Sequence, residues 1–474
     1  MREPGRVLLI ACYEMGHPPL AVAWPAAFLE RAGYHPAVMD LSVEPFDPDR
    51  VRAARLVAVS VPMHTALRLG ARVAERGRAL NPSAHICFYG LYAALNAEEL
   101  LRSCADTVLA GESEAALVEL ARRLEAETGV GQASRANVAL GVEARPAPVS
   151  AGTARQTVLT RLEFPVPSRS AIRDLKRYAH VEREGRLEPA GYVEASRGCK
   201  HHCRHCPIPP VYGGRFFVVP VETCLADVRQ QVAAGARHIT FGDPDFLNGP
   251  GHALAVARAV HAEFPDVTFD FTAKVEHLLR HRARLPELAA LGCLFVVTAA
   301  ESLDDRVLGH LDKGHSQADI AEVLGVARAA GIALRPTWIA FTPWTSLDGY
   351  RGWLDFIQAE SLIDAVDPVQ YTVRLLVPPG SLLLEHAAMR PHLGELVAGH
   401  FHYRWTHPDP RMEQLHADVA AAVAAATERR EDAAAVFGLV RALADTAAGR
   451  APRPAPALPA DRPRAPRLTE PWFC

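Results

Sequence analysis

Lysine is nearly absent from this chain of 474 residues: of its 51 basic residues, only Lys176, Lys200, Lys274 and Lys313 are not arginine. The arginine surplus, beside abundant alanine, is the mark of a GC-rich coding sequence and carries no function by itself. A lysine kept against that bias is a candidate for chemistry or packing. Charge of either sign is also not in excess. The formal net charge is −3, which gives no basis for a nucleic-acid or anionic-membrane partner. No apolar run nears the ~18 residues that a membrane-spanning helix needs. Val7–Cys12 gives way to Glu14 too soon for a signal peptide. A disulfide framework is missing too, since the nine cysteines are odd in number and three fall within eight positions. A reducing, cytoplasmic setting is the expectation.

What is present is a strand–helix alternation long enough for two or three domains. Val7–Ala11, His35–Met39, Leu56–Val61, His85–Tyr89 and Thr107–Ala110 read as strands between helical segments, the last being Glu114–Glu127. That pattern predicts an α/β domain with a doubly wound parallel sheet over residues 1–127. Residues 128–189 read as a connector, structured in part at Ala171–Tyr178. A second alternation fills 190–400. Its strands are Tyr192–Ala195, His238–Phe241, Thr268–Phe271, Leu294–Thr298, Ala333–Ile339 and Val369–Leu375. Its helices are Glu222–Ala234, Gly251–Glu263, Glu276–Leu291, Gln317–Ala330 and Asp348–Glu360. Six such units predict a partial (β/α) TIM-type barrel with its chemistry at the carboxyl ends of the strands. A helical region at 401–448, centred on Arg411–Ala448, and a Pro-rich tail at 449–474, expected to be disordered, complete the chain.

Directly after the first barrel strand stands Ser196-Arg197-Gly198-Cys199-Lys200-His201-His202-Cys203-Arg204-His205-Cys206. The C-x3-C-x2-C spacing lets one loop wrap three thiolates round a 4Fe–4S cube, leaving one iron open to an outside ligand. Structural zinc is the rival; it wants a fourth ligand, which His201, His202 or His205 could supply, but no second half-site follows. Three cysteines simply packed in a core fit poorly with so polar a loop.

This triplet, placed after the first strand of such a barrel, resembles the signature of the radical S-adenosylmethionine (radical SAM) superfamily. The resemblance implies that SAM chelates the open iron, and that reduction by an external flavodoxin- or ferredoxin-like donor cleaves it to a 5′-deoxyadenosyl radical. That radical would act on a small-molecule substrate. His205 stands where the superfamily usually has an aromatic residue. After the second strand, Gly242-Asp243 stands where the superfamily carries a Gly-Gly-Glu-like motif for the SAM amino group. A Gly-Asp-Pro turn is the alternative reading. After the fourth strand, Glu301-Ser302 and Lys313-Gly314 match a Glu-Ser and Lys-Gly pair of cobalamin-type members, Glu301 being the second SAM contact. Ser302 and its acidic neighbours could equally cap the next helix. Lys274, Arg335 and Arg374, with Glu276, His277, Gln370, Tyr371 and Trp344, are candidate substrate contacts. A buried arginine there needs an anion.

The N-terminal sheet, with Gly90 after its fourth strand and Gly111-Glu112-Ser113-Glu114 after its fifth, resembles the cobalamin-binding domain of many radical SAM methyltransferases. Its first loop has Glu14-Met15-Gly16-His17 in place of Asp-x-His-x-x-Gly, so cobalamin held without a protein histidine, or a lost cofactor, are both open. His17 and His64 are read as loop residues. The runs His202–Pro207, Tyr212–Arg215, Gly242–Leu247, Lys274–His277, Phe341–Trp344 and Pro368–Tyr371 are similar to those of the CUAEP/CCAEP-tail radical SAM (seleno)proteins. That group ends in Cys-Sec-Ala-Glu-Pro or Cys-Cys-Ala-Glu-Pro. The expectation is that Cys474 is the first residue of such a tail, continued through a selenocysteine codon, and that it serves as a redox or acceptor group. Methyl transfer to unactivated carbon, a cobalamin-independent rearrangement and sulfur or selenium chemistry all remain open. So does a non-catalytic, metal-stabilised binding module.

Overall fold

A computed structural model describes residues 1–127, 159, 162–459 and 461–469. The N-terminal domain runs β1 (Val7–Ala11), α1 (Leu20–Arg31), β2 (Ala37–Asp40), α2 (Pro48–Ala53), β3 (Leu56–Ser60), α3 (His64–Leu80), β4 (His85–Tyr89), α4 (Leu91–Leu95), α5 (Ala97–Ser103), β5 (Thr107–Leu109) and α6 (Glu114–Ala126). The five strands form one parallel sheet in the order β2-β1-β3-β4-β5. Helices cover both faces, which is why β1 and β3 are apolar at nearly every position rather than alternating.

A hairpin follows: β6 (His180–Arg183) and β7 (Arg186–Val193), turned at Glu184-Gly185. Both turn residues have positive φ, as a two-residue hairpin turn requires. The Gly185 signal lay within the supposed connector, so that segment holds a strand pair. The barrel then runs β8 (Ser196–Gly198), α7 (Pro209–Tyr212), β9 (Phe216–Val218), α8 (Val221–Ala233), β10 (His238–Phe241), α9 (Pro250–Glu263), β11 (Thr268–Ala273), α10 (Val275–Arg280), α11 (Leu285–Ala290), β12 (Cys293–Glu301), α12 (Asp305–Leu311), α13 (Gln317–Ala329), β13 (Ala333–Trp338) and α14 (Leu347–Ala359). The strands β7, β10, β11, β12 and β13 are parallel neighbours in a curled half-barrel sheet.

The expected sixth strand, Val369–Leu375, does not form. Pro368–Thr372 is a 3-10 turn, and only an isolated bridge joins Phe341 to Arg374. Pro368 opens the turn, and the Gln370 side-chain oxygen accepts from the Trp338 N–H at 2.9 Å, taking the place of a backbone partner. The expected helix Glu276–Leu291 is likewise broken into α10 and α11: Pro286 has no N–H to continue the ladder of the preceding turn and stands instead in the first turn of α11, where none is needed.

The chain closes with a hairpin, β14 (Leu393–Val397) and β15 (His402–Trp405), then α15 (Pro410–Glu428), α16 (Ala433–Ala447) and β16 (Arg467–Leu468). The Pro-rich segment expected to be disordered is laid across the protein up to residue 469. Arg453 pairs with Asp445 and Asp355, Arg462 with Asp364 and Asp432, and β16 adds an antiparallel strand to β6. Composition missed this because the anchoring energy comes from arginines rather than from apolar residues. Cys474 lies outside the described residues.

The two domains share a core. Val211 of α7 and Phe401 are buried with the N-terminal domain's residues, and Tyr178 donates to Asp40 at 2.9 Å. Arg462, nearly enclosed between two aspartates, should be the main anchor of the tail. Arg462→Ala is expected to cost about 1–3 kcal/mol in urea unfolding, and to speed proteolytic cleavage within 450–469.

Candidate metal and cofactor centre

The loop bearing the three cysteines leaves the sheet edge through a glycine. Gly198 has φ +76, and a Cβ there would stand 2.4 Å from the Arg215 carbonyl oxygen, so no other residue fits. From Cys199 to Cys206 nearly every other side chain is anchored away from the sulfurs. Lys200 Nζ donates to the Asn248 carbonyl at 2.7 Å and lies over the Phe216 ring. His202 packs on Gly214, where a Cβ would come within 2.6 Å of it. Arg204 donates to the Gly309 and His310 carbonyls, and its backbone N–H to Leu311, so it caps the carboxyl end of α12. His205 Nε2 is 3.2 Å from Glu301 Oε1, and His201 Nε2 is 3.1 Å from His277 Nε2.

Cys199 and Cys203 are buried and Cys206 partly so. Burial raises the Cys199 thiol and pushes Cys206 up to about 12; such thiols ionise only against strong local positive charge, which iron supplies. Among the described residues, three potential ligand atoms from different side chains lie within 4.8 Å of one another only in His201, Asp245 and His277. The three sulfurs therefore do not all approach to the about 3.8 Å edge of a tetrahedral zinc–thiolate site. Two of the histidines offered as a fourth zinc ligand have partners, His201 in His277 and His205 in Glu301. Three thiolates on one loop are the donor set that a 4Fe–4S cluster takes.

Below the loop lies a buried ion pair. Glu301, at the end of β12 with φ +66, accepts from Lys313 Nζ at 3.1 Å, and Lys313 is 3% exposed. Despite burial, the Lys313 and His205 contacts hold the Glu301 carboxyl down at about 2, and Glu301, with the Cys203 sulfur next, raises Lys313 against its own desolvation. Ser302 lies beside this pair, its hydroxyl accepting from the Asp304 N–H. Asp304 rather than Ser302 caps α12. On the next loop Lys274 Nζ is 3.0 Å from His201 Nδ1 and 3.4 Å from Glu276 Oε2. Burial, then Lys274, lowers His201 to about 4, so it is neutral. His277 Nδ1 stands 2.9 Å from Asp245 Oδ2, off the ideal hydrogen-bond line.

Gly242 is required because the Tyr192 ring would lie 2.2 Å from its Cβ. Asp243 is turned beneath the loop, accepting from the Ala195 N–H at 2.8 Å and from the Ser196 hydroxyl. Burial pushes it up to about 8. Two candidate substrate arginines find their anions within the protein. Arg335 pairs with Asp367 at 3.0 Å, and Arg374 pairs with Glu413 while stacking over Trp405. Trp344 donates to the Ala388 carbonyl and packs at a tilt against His310.

At the carboxyl edge of the N-terminal sheet, Glu14 folds back to accept from Leu20 and Ala21 at the start of α1, and His17 stacks on Tyr192 at 4.3 Å. His64 Nε2 is 2.8 Å from the His400 carbonyl. Gly90 has φ +103, with Val61 backbone 3.2 Å from where a Cβ would stand. His17 and His64 thus both have partners inside the protein. Sequence reasoning missed Arg204 and Arg197. Arg197 joins Glu194 to Glu112 and Glu114 of the N-terminal domain; only the fold brings these acids together.

Two outcomes follow. Lys313→Met strands a buried carboxylate and is expected to cost about 3–5 kcal/mol in urea unfolding, most of it recovered in the double variant with Glu301→Gln. Asp243 and Glu14, both pushed up by burial to about 8, keep their protons in the folded state after the unfolded chain has lost them. Stability should therefore fall as pH rises from about 4 to about 8, and Asp243→Asn should flatten the fall. Glu301 acts oppositely: its contribution is whole above the ordinary carboxyl range and fades toward about 2.

The radical SAM superfamily matches residues 193–340 and the B12-binding domain matches residues 6–121. The chain is 25% identical over 339 residues to the hopanoid C-3 methylase of Methylococcus capsulatus, spanning 69% of this chain and 61% of that protein. It is 23% identical to an uncharacterized methyltransferase of Pyrococcus horikoshii, spanning 73% of this chain and 70% of the relative. The structure is similar to the cobalamin-dependent S-adenosylmethionine radical enzyme OxsB with aqua-cobalamin bound, at TM-score 0.65, 14% identity, and coverage of 94% and 73%. It is similar also to the radical S-adenosylmethionine methyltransferase TsrM of Kitasatospora setae, at TM-score 0.55, 18% identity, and coverage of 75% and 71%. Residues 193–340 are thus a radical SAM domain and residues 6–121 a B12-binding domain, and their pairing is that of the cobalamin-dependent radical SAM enzymes, whose cofactors are a 4Fe–4S cluster, SAM and cobalamin.

Proposed function

We propose that the chain is a radical SAM methyltransferase that moves a methyl group to an unactivated carbon of a small molecule with the help of cobalamin. The observation that carries this reading is the anchored loop of Cys199, Cys203 and Cys206 at the mouth of a half-barrel joined to a B12-binding domain. When bound, the cluster and cobalamin supply, respectively, the electron that cleaves SAM and the methyl carrier.

The chain's own groups do the holding. Cys199, Cys203 and Cys206 provide three thiolates. Glu301, kept ionised by Lys313 and His205, offers a desolvated carboxylate to the SAM ammonium. Ser302, beside it, is a second polar contact. Gly242 and Asp243 act indirectly, the first by making room for Tyr192 and the second by fixing the strand end that carries the cysteine loop. An external flavodoxin- or ferredoxin-like protein delivers the electron. Two relatives, the hopanoid C-3 methylase and the Pyrococcus horikoshii methyltransferase, bear names that support methyl transfer.

The test is anaerobic purification and cluster reconstitution, then SAM and dithionite. Wild type should yield 5′-deoxyadenosine and bind cobalamin with a change in its visible spectrum; methyl transfer from labelled SAM to bound cobalamin should follow. Production of deoxyadenosine no greater than that of the Cys199→Ala/Cys203→Ala/Cys206→Ala variant overturns the radical reading. Deoxyadenosine without cobalamin binding overturns the methyl-transfer reading alone.

A further inference from the structure

Of the three arginines that are buried among the described residues, two meet a carboxylate: Arg335 pairs with Asp367 and Arg351 with Asp445, each at 3.0 Å. Arg441 of α16, 5% exposed, pairs with none. Its Nη1 donates to Gln358 Oε1 and its Nη2 to the Pro454 carbonyl, both neutral, and its buried Nε has no acceptor. Burial, and after it Arg453, pulls the guanidinium below its ordinary pKa. The acids nearby are taken. Asp445 serves Arg351 and Arg453, Asp355 serves Arg453, and Asp348, 81% exposed, is shared by Arg351 and Arg450. Four arginines thus face three aspartates, and Arg441 is the one left over. A guanidinium keeps its charge and its five N–H donors wherever it is placed, so a buried one calls for an anion that this chain does not supply.

Arg441 lines a groove of about 540 Å³ between α14 and the Pro-rich strap that follows α16, with Asp355 and Gln358 on one wall and Arg453, Pro454 and Pro456 on the other. That volume lies in the range of small-molecule sites. The strap is seated closely. At Gly438, one turn before Arg441, a Cβ would stand 2.5 Å from the Ala455 Cβ. Glycine weakens a helix interior, and here it is what lets the strap lie against α16. Pro454 and Pro456 have no N–H, so the donors that this part of the strap brings to the groove are those of Arg453. Asp355, the acid on the wall, is turned to Arg453 Nη1.

We infer that this groove binds a small oxyanion, a phosphoryl or carboxylate group, between Arg441 and Arg453. Planar guanidinium forks match the oxygens of such groups, and bonds to a charged acceptor are stronger than those that Gln358 and Pro454 now provide. The bound anion neutralises the surplus arginine. It also joins α16, which carries Arg441, to the strap, which carries Arg453 and leads on to β16. None of the groove's residues belongs to the cysteine loop or to the Glu301–Lys313 pair, so its occupancy is separable from SAM cleavage.

The measurement is equilibrium dialysis of the anaerobically reconstituted full chain against radiolabelled inorganic phosphate at constant ionic strength, with proteolysis of the strap as a second readout. Phosphate should bind saturably and slow cleavage within 450–459. Arg441→Gln should weaken that binding by about ten- to a hundredfold and remove the protection, while Arg441→Lys, which keeps the charge without the fork, should fall between. Acetate that displaces phosphate at comparable concentration identifies a carboxylate as the preferred ligand; phosphate retained against acetate identifies a phosphoryl group. Saturable binding of neither ion, or phosphate binding by Arg441→Gln equal to that of wild type, overturns the proposal. If Arg441→Gln fails to fold, Arg441→Lys and Gly438→Ala decide it. The second leaves both arginines in place and sets a methyl group against Ala455, and phosphate affinity equal to wild type in both variants overturns the proposal.

Discussion

The structure depends on one constraint: three cysteine sulfurs on an eight-residue loop must face the same point while the residues between them stay out of it. Sequence spacing makes this possible and the surrounding fold makes it happen. Lys200 is drawn to the turn after β10, His201 to α10, Arg204 to the end of α12 and His205 to the end of β12. Four barrel elements therefore hold the loop open from outside, in the manner of guy ropes. The strand order of the half-barrel matters because it puts those four anchors in reach of one loop, and the Gly198 and Gly242 backbones matter because they let the loop and its floor approach so closely.

Such an arrangement puts charge in dry places. The pair Lys313–Glu301 is buried and Arg197 with its three glutamates nearly so, and buried ion pairs give little net stability. Their value is geometric: each joins a segment of the mouth to a neighbour with directional bonds that apolar contact would not supply. Arg197 reaches across to Glu112 and Glu114, so the B12-binding domain is tied to the residue two places before the first cysteine.

The chemistry was legible in the sequence where it is local. The cysteine triplet, the strands His85–Tyr89 and His238–Phe241, and the Glu301-Ser302 and Lys313 run can all be seen along the chain, because thiolate spacing and apolar runs are short-range signals. The scarcity of lysine also proved informative: three of the four hold the walls of the mouth, Lys200 through Asn248, Lys274 through His201 and Lys313 through Glu301. What was not legible depends on partners far away in sequence. Arg335 and Arg374 looked unsatisfied until Asp367 and Glu413 were brought beside them. Val369–Leu375 has the composition of a strand, and is kept out of the sheet by the turn that Pro368 opens, with the Gln370 side chain taking the Trp338 N–H. The hairpin at β6–β7 was hidden by the polar composition of both its strands, and the ordered Pro-rich tail by the arginines, rather than apolar residues, that anchor it.

The pairing of β16 with β6 has a consequence for how the molecule is made. Arg467 lies opposite Glu182, 285 positions earlier, so the edge of the half-barrel sheet stays bare throughout synthesis of everything between. A bare edge is a template for other chains, and this one is covered by nearly the last described residues to leave the ribosome. Until then the nascent chain carries an open strand; afterwards it carries a closed sheet. The strand is in this sense a seal on the sheet, and a chain cut short before it would differ from one that carries it less in its centre than in its tendency to stick to its neighbours.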